Sequence, residues 1–188
     1  MKKIISTLNK KNQIPINYYM NIRKFFGLTV VLFCMMGAGA KSFAFQIIQH
    51  DLSGDQVRKL SYSIENNIFD YFFDKGIIVS NSPVYSSCDS DSDDIEFSRS
   101  KAEAYYGGVR IFVEIRCEYD SEDSMNPEGM LLGNIRCISW NVVEINKDVS
   151  LGSGKSIPPL DKSVKNKDSG LKNFTDGISE EIYKIICG

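Results

Sequence analysis

Histidine is almost missing from this chain: His50 is the only one in 188 residues. That excludes multi-histidine metal centres, and a Ser-His-Asp or Cys-His nucleophile system would have to run through His50 alone. No CxxC pair occurs, which removes zinc ribbons and thioredoxin-like sites from consideration. No apolar run reaches the ~20 residues of an uninterrupted membrane span, and no internal repeat points to a solenoid. Acid is lacking where its absence says most: residues 1–44 carry seven Lys or Arg and not one Asp or Glu. All 24 acids fall in 45–188 beside 15 of the 22 bases, giving that region a net charge of −9. An acidic domain repels polyanions, so neither nucleic acid nor an anionic membrane surface is an expected partner.

What the first residues do contain is a leader. Arg23-Lys24 precedes an apolar stretch, Phe25 to Met36, interrupted only by Gly27 and Thr29. Small residues follow (Gly37 to Ala40), and Ser42-Phe43-Ala44 fits a small-x-small cleavage site. This order predicts a secretory signal peptide over 20–44, cut between Ala44 and Phe45. Residues 1–19, with Lys10, Lys11, Pro15 and Asn17, are too polar for a leader and too short for a domain, which marks them as an upstream extension with translation starting at Met20. An uncleaved anchor is the alternative, but the apolar core is shorter than a span. Cys34 follows Phe33 rather than a small residue, which excludes lipidation there. The chain is therefore expected to be exported, periplasmic or secreted, with a mature domain over 45–188 and no stable membrane span. Its four cysteines, Cys88, Cys117, Cys137 and Cys187, are expected to form disulfides in that compartment. Cys117 and Cys137 both follow Ile-Arg and stand about equally far from the middle of the 120–128 loop, so antiparallel pairing would oppose them. Cys88 to Cys187 is the expected second bridge.

The mature region has the length of a single domain. Phe45 to Gln49 reads as a strand. Ser53 with Gln56 is a capping-box pattern, and Val57, Leu60, Ile64, Ile68, Tyr71 and Phe72 recur at helical spacing up to a Gly76 cap. Ile77 to Val79 reads as a second strand. The acidic loop Cys88 to Asp94 leads to a helix opened by Asp93 and Glu96 and closed by Gly107-Gly108. Val109 to Cys117 alternates strictly between apolar and mostly charged residues, as a strand with one buried face does. The 130–145 strand changes phase: Ile135 and Cys137 are odd, Ile138, Trp140 and Val142 even, so a bulge near Cys137 is expected to bring all five to one side. Lys147 to Ser156 reads as a turn with a short strand, Asp161 to Gly170 as a linker, and Leu171, Phe174, Ile178, Ile182 and Ile185 as a closing helix. The result is a single small α/β (α+β) domain in the order βαβαββα, with three helices and a mixed sheet of about four strands.

Phe45 to Pro83, Ala102 to Ile115 and Ile138 to Gly154 together resemble a bacterial envelope module, that of the TolB N-terminal domain and of penicillin-binding-protein activator lipoproteins. The shared pattern is a helix leading into Gly76-Ile77-Ile78-Val79-Ser80, a helix ending in Gly before the next strand, and a Trp-bearing strand that turns back at a Gly-rich hairpin. The resemblance implies a binding or docking module without catalytic residues.

Three motifs need weighing. Gly152 to Ser156 has the end of a phosphate-binding loop, but Val149 stands where the first Gly is required and Pro158-Pro159 forbids the following helix; a hairpin turn is expected. Asp89, Asp91, Asp93 and Asp94 approach a calcium loop, yet Asp94 replaces its Gly and Ser100 its bidentate Glu; helix capping is expected. His50, beside Asp51, is expected at a frayed strand end. No catalytic residue, metal or cofactor follows from these. Phe69, Tyr71, Phe72 and Phe73 exceed one helical stripe, so Phe69 or Phe73 is expected to face outwards as a partner contact. The expected function is non-enzymatic binding of a protein or cell-wall component. A carboxylate-dependent hydrolase and a small secreted factor acting on a host or competitor are the alternatives.

Overall fold

The structure is a computed structural model and describes residues 41–50, 56–87, 89–120, 132–159 and 167–188. Strand β1 (Ser42–His50) is the spine of the sheet. Apolar residues occupy both of its parities, as expected of a strand covered on two faces. Phe43, Phe45 and Ile47 belong to the main core with helices α1 (Lys59–Asp74) and α3 (Lys167–Cys187), whereas Ala44 and Ile48 pack with Phe97 of α2 (Ser90–Tyr106). The strand starts three residues before the expected start of the mature domain. The expected cut between Ala44 and Phe45 falls inside it, where both residues are buried.

β2 (Ile78–Asn81), β3 (Tyr85–Ser87) and β4 (Ile111–Tyr119) run parallel to β1, while β5 (Ile135–Glu144) and β6 (Val149–Ser156) follow antiparallel, in the order β2-β1-β4-β5-β6. Among the described residues the mixed α/β sheet and three helices are as expected, and the strands number six rather than about four, in the order βαββαβββα. One addition is β3. It shares an edge of β1 with β2, and Ser82-Pro83-Val84 interrupts the two. Pro83 has no N–H for the ladder, and the Gln46 side chain bridges the gap by donating to the Pro83 carbonyl at 3.1 Å. The other addition is β6, eight residues long, which contains the Gly-rich segment expected in a turn. The turn itself is 145–148.

Both α1 and α2 end as their glycines dictate. Gly76 (φ +71°) and Gly108 (φ +84°) take the left-handed conformation, and the amides of Ile77 and Val109 reach back to the carbonyls of Phe72 and Ala104. Their starts differ from expectation. Ser53 lies outside the described residues, and α1 begins at Lys59 with no cap from the Arg58 side chain. Gln49 of β1 supplies it instead: its Oε1 accepts from the Arg58 amide at 2.7 Å and from Ser61 Oγ at 2.9 Å. α2 begins at Ser90, inside the acidic segment, because Asp89 caps the Asp91 amide and Asp91 and Asp93 suit the positive end of the helix.

The bulge expected in β5 is present, but it corrects the cysteine pairing. Glu118 opposes Cys137 and Tyr119 opposes Ile135, so Arg136 is the extra residue. This brings Ile135 into phase with Ile138, Trp140 and Val142 in the main core and leaves Cys137 on the other face. Cys117 opposes Ile138. The two cysteines thus lie on opposite sides of the sheet, and Cys117, Cys137 and Cys187 are free thiols. Cys88 lies outside the described residues, and the expected Cys88–Cys187 bridge lies outside them with it.

Candidate functional site

In sheets with parallel strands, ligands favour the carboxyl ends where successive connections leave for opposite faces. Here that place lies between β1, which leads to α1, and β3, which leads to α2. His50 and Ser87 are paired across it. On the α2 side His50 Nε2 lies 4.0 Å from Asp93 Oδ2 and makes no hydrogen bond. Asp93 is 2 % exposed; Arg116 Nε approaches it to 3.5 Å, and Arg116 Nη2 meets Asp94 at 2.6 Å. The Arg116 guanidinium also covers the Phe97 ring at 4.9 Å. Ser87, Asp89 and Ser92 are joined by hydrogen bonds of 2.7–2.8 Å that shape the start of α2. His50 is thus not at a frayed end but packed against a buried carboxylate. The four aspartates divide between capping and Arg116 rather than converging on one point, and among the described residues no group of three metal-ligating side chains gathers.

On the α1 side of the same strand ends, Gln49, Ser61 and Tyr119 form a buried chain of hydrogen bonds, Ser61 Oγ standing 2.8 Å from Tyr119 Oη. Arg58, 1 % exposed, lies over the Tyr119 ring at 4.5 Å. Sequence reasoning missed this network. The available signal was Gln49, a polar residue at the same parity as Phe43, Phe45 and Ile47.

The face of β4 and β5 beyond α2 is polar. Glu114 pairs with Lys101 at 3.0 Å and accepts from Asn141 at 3.0 Å, and Ser150 donates to Asn141 at 2.6 Å. Glu118 pairs with Arg136, through Nε at 3.0 Å and more closely through Nη2. Burial pushes the Glu118 carboxyl up, but hydrogen bonds and charge from Arg136, with help from Cys137 and Lys155, outweigh it and hold the group below the usual carboxylate range. Burial also pushes the Cys117 thiol far up and the Cys137 thiol up. Asp93, Glu114 and Glu118 therefore each face a cation, the arrangement of structural carboxylates rather than of an acid–base pair.

Two exposed features remain. β6 closes the sheet order, and Val149, Leu151 and nearby Ile157 are 49, 43 and 69 % exposed. Beside the turn that starts it, a groove of about 460 Å³ is lined by Lys101, Tyr105, Tyr106, Ile145 and Asp148. Of the expected contact residues on α1, Phe73 is 70 % exposed, while Phe69 is half-buried against the main core. No described helix is long and apolar enough to cross a membrane.

The topology-level resemblance to envelope modules recurs among solved structures. The PelC dodecamer of Paraburkholderia phytofirmans aligns over 79 % of this chain and 87 % of its own, at 10 % identity and a TM-score of 0.44. TolB of Acinetobacter baumannii aligns over 80 % of this chain and 29 % of its own, at 10 % identity and 0.42. Lipoprotein GNA1162 of Neisseria meningitidis aligns over 77 % of this chain and 99 % of its own, at 12 % identity and 0.44. At these values no residue or activity is carried across. No curated protein matches the chain. A family model described as "Uncharacterised protein" matches residues 42–187, and the chain belongs to that family.

Proposed function

We propose that this is an exported bacterial envelope protein, periplasmic or secreted, that works by binding a protein partner rather than by chemistry. The leader supports the export half of this reading. The observation that carries the binding half is β6. Natural edge strands are kept short or blunted by charge and proline. β6 instead runs for eight residues with one charged side chain, Lys155, and exposes Val149 and Leu151. Such an edge takes an extended partner segment by strand addition, with main-chain hydrogen bonds giving affinity. The groove holding Tyr105 and Tyr106 adjoins Asp148, immediately before β6, and suits an aromatic or aliphatic anchor from the same segment.

Photo-crosslinking in cells from position 151 tests the reading. A single protein adduct is expected, lost on Tyr106→Ser and absent when the probe is moved to Lys172 on α3. A melting temperature within about 2 °C of the parent would show that Tyr106→Ser leaves the fold intact. No adduct at 151, or turnover of a cell-wall or glycoside substrate that ceases on replacing one carboxylate, would sink the binding reading.

A further inference from the structure

Two triplets near the start of the folded domain suit a signal peptidase, Ala38-Gly39-Ala40 and Ser42-Phe43-Ala44. Their side chains do not separate them, because both place small residues at the required positions. The fold does separate them. We propose that the leader is removed after Ala40 and that the mature chain begins at Lys41; this rests on the reading of the chain as exported.

Each residue between the two cuts is used by the fold. Ser42, Phe43 and Ala44 pair with Ile78, Val79 and Ser80, three of the four register pairs that join β1 to β2. The Lys41 carbonyl accepts from the Ile78 amide at 3.1 Å. Phe43 is 1 % exposed and meets Phe72 edge-to-face at 4.6 Å, in the middle of the main core. Ala44 is buried on the opposite face. The Lys41 ammonium donates to the carbonyls of Ile186 and Cys187 at 3.4 and 3.1 Å. Those carbonyls end α3, have no partner within the helix and carry its negative pole, so a cation there is favoured. A cut after Ala44 would remove all of this: β2 would keep one paired residue, Phe72 would lose its contact with Phe43, and the last carbonyls of α3 would lose the Lys41 ammonium. Lys41–Gly188 form one compact unit, and the family match likewise begins at 42. Of the two cuts, only the earlier one leaves the sheet whole.

The experiment expresses the full chain with its own leader in a bacterium and measures the intact mass of the exported product. A product beginning at Lys41 is expected, with precursor accumulating in Ala40→Leu. A product beginning at Phe45 leaves the export reading standing and overturns this site. A chain found only at full length in the cytosol overturns the export reading, and this proposal with it. Phe43→Ser adds a second readout, since it alters the mature product only if Phe43 survives processing. Its product is expected to melt about 10 °C or more below the parent. An unchanged mass and melting temperature would place Phe43 in the discarded leader and overturn the proposal.

Discussion

Trp140 and Gly154 show how one contact sets the identity of two residues. The indole lies across β6, and Trp140 pairs with Gly154 in the ladder. A Cβ built on Gly154 would stand 2.7 Å from Cε2 of the ring and closer still to Cζ2. Both belong to a rigid aromatic that cannot yield without leaving its place in the core. Gly152 differs, because a Cβ there meets the flexible end of Ile185 at 3.0 Å. Gly154→Ala is therefore expected to cost about 1–3 kcal/mol and Gly152→Ala clearly less, as measured by urea denaturation. Glu118 supplies a pH-dependent counterpart. Its folded-state pKa is lowered, so its contribution to stability is present above the unfolded value of about 4.3 and is lost as pH falls through the folded value. The melting temperature of the parent should exceed that of Glu118→Gln at neutral pH, and the gap should close in acid. A gap independent of pH would assign the effect to packing.

Among the elements, α2 is held differently from the other two helices. α1 turns Leu60, Ile64, Ile68 and Phe72 into the main core, and α3 does the same with Leu171, Ile178, Ile182 and Ile186. α2 buries one large apolar side chain, Phe97, against Phe112 and Ile48. Polar ties supply the rest: Gln46 to Glu96 at 2.9 Å, Lys101 to Glu114, and Arg116 to Asp93 and Asp94. The exposed Arg116–Asp94 pair contributes little, and Phe97 carries most of the apolar docking energy. Phe97→Ala is expected to cost about 3–5 kcal/mol and to raise hydrogen exchange in α2 before α1 and α3. Uniform protection loss across the three helices would refute this. The helix ends are a simpler case. Ala at Gly76 or Gly108 must adopt a positive φ, which costs about 1–2 kcal/mol, although a Cβ at either position meets open space.

For the whole molecule, burial and redox state are linked. Cys117 is fully buried in the main core, with its thiol pushed far above the ordinary range. Thiolate, not thiol, is the reactive species. Alkylation of Cys117 in the native domain is expected to proceed only as fast as global unfolding, whereas Cys187, half-exposed at the end of α3, should label quickly. Peptide mapping of the labelled protein checks both, and a Cys117–Cys137 disulfide in the native protein would contradict the register of β4 and β5. The central position of β1 explains why the cysteines cannot be judged locally. The strand separates α1 and α3 from α2, so each residue's parity decides which of two unlike environments it enters.

Local chemistry is what the sequence by itself determined. The apolar odd positions of β4, the apolar stripe of α1 and the glycines after α1 and α2 were legible because each depends on neighbours within one or two turns, whereas the expected single buried face of β4 gave way to two, with Phe97 covering Phe112 on the second. The polar character of Asp93 and His50 was legible as well, but not that they meet. The tertiary structure alone decided the register of β5 on β4, the length of β6, the brief β3 and the reach of β1 back to Ser42. In each case the deciding partner is distant in the chain. A bulge at Arg136 shifts the pairing by one residue, and with a period of two that shift sends Cys137 to the opposite face. β6 looks like a turn in sequence because its glycines are fitted to Trp140 and Ile185 rather than to a bend. Ser42 and Phe43 fit a cleavage triplet in sequence, while in the fold Ser42 pairs with Ile78 and Phe43 packs on Phe72.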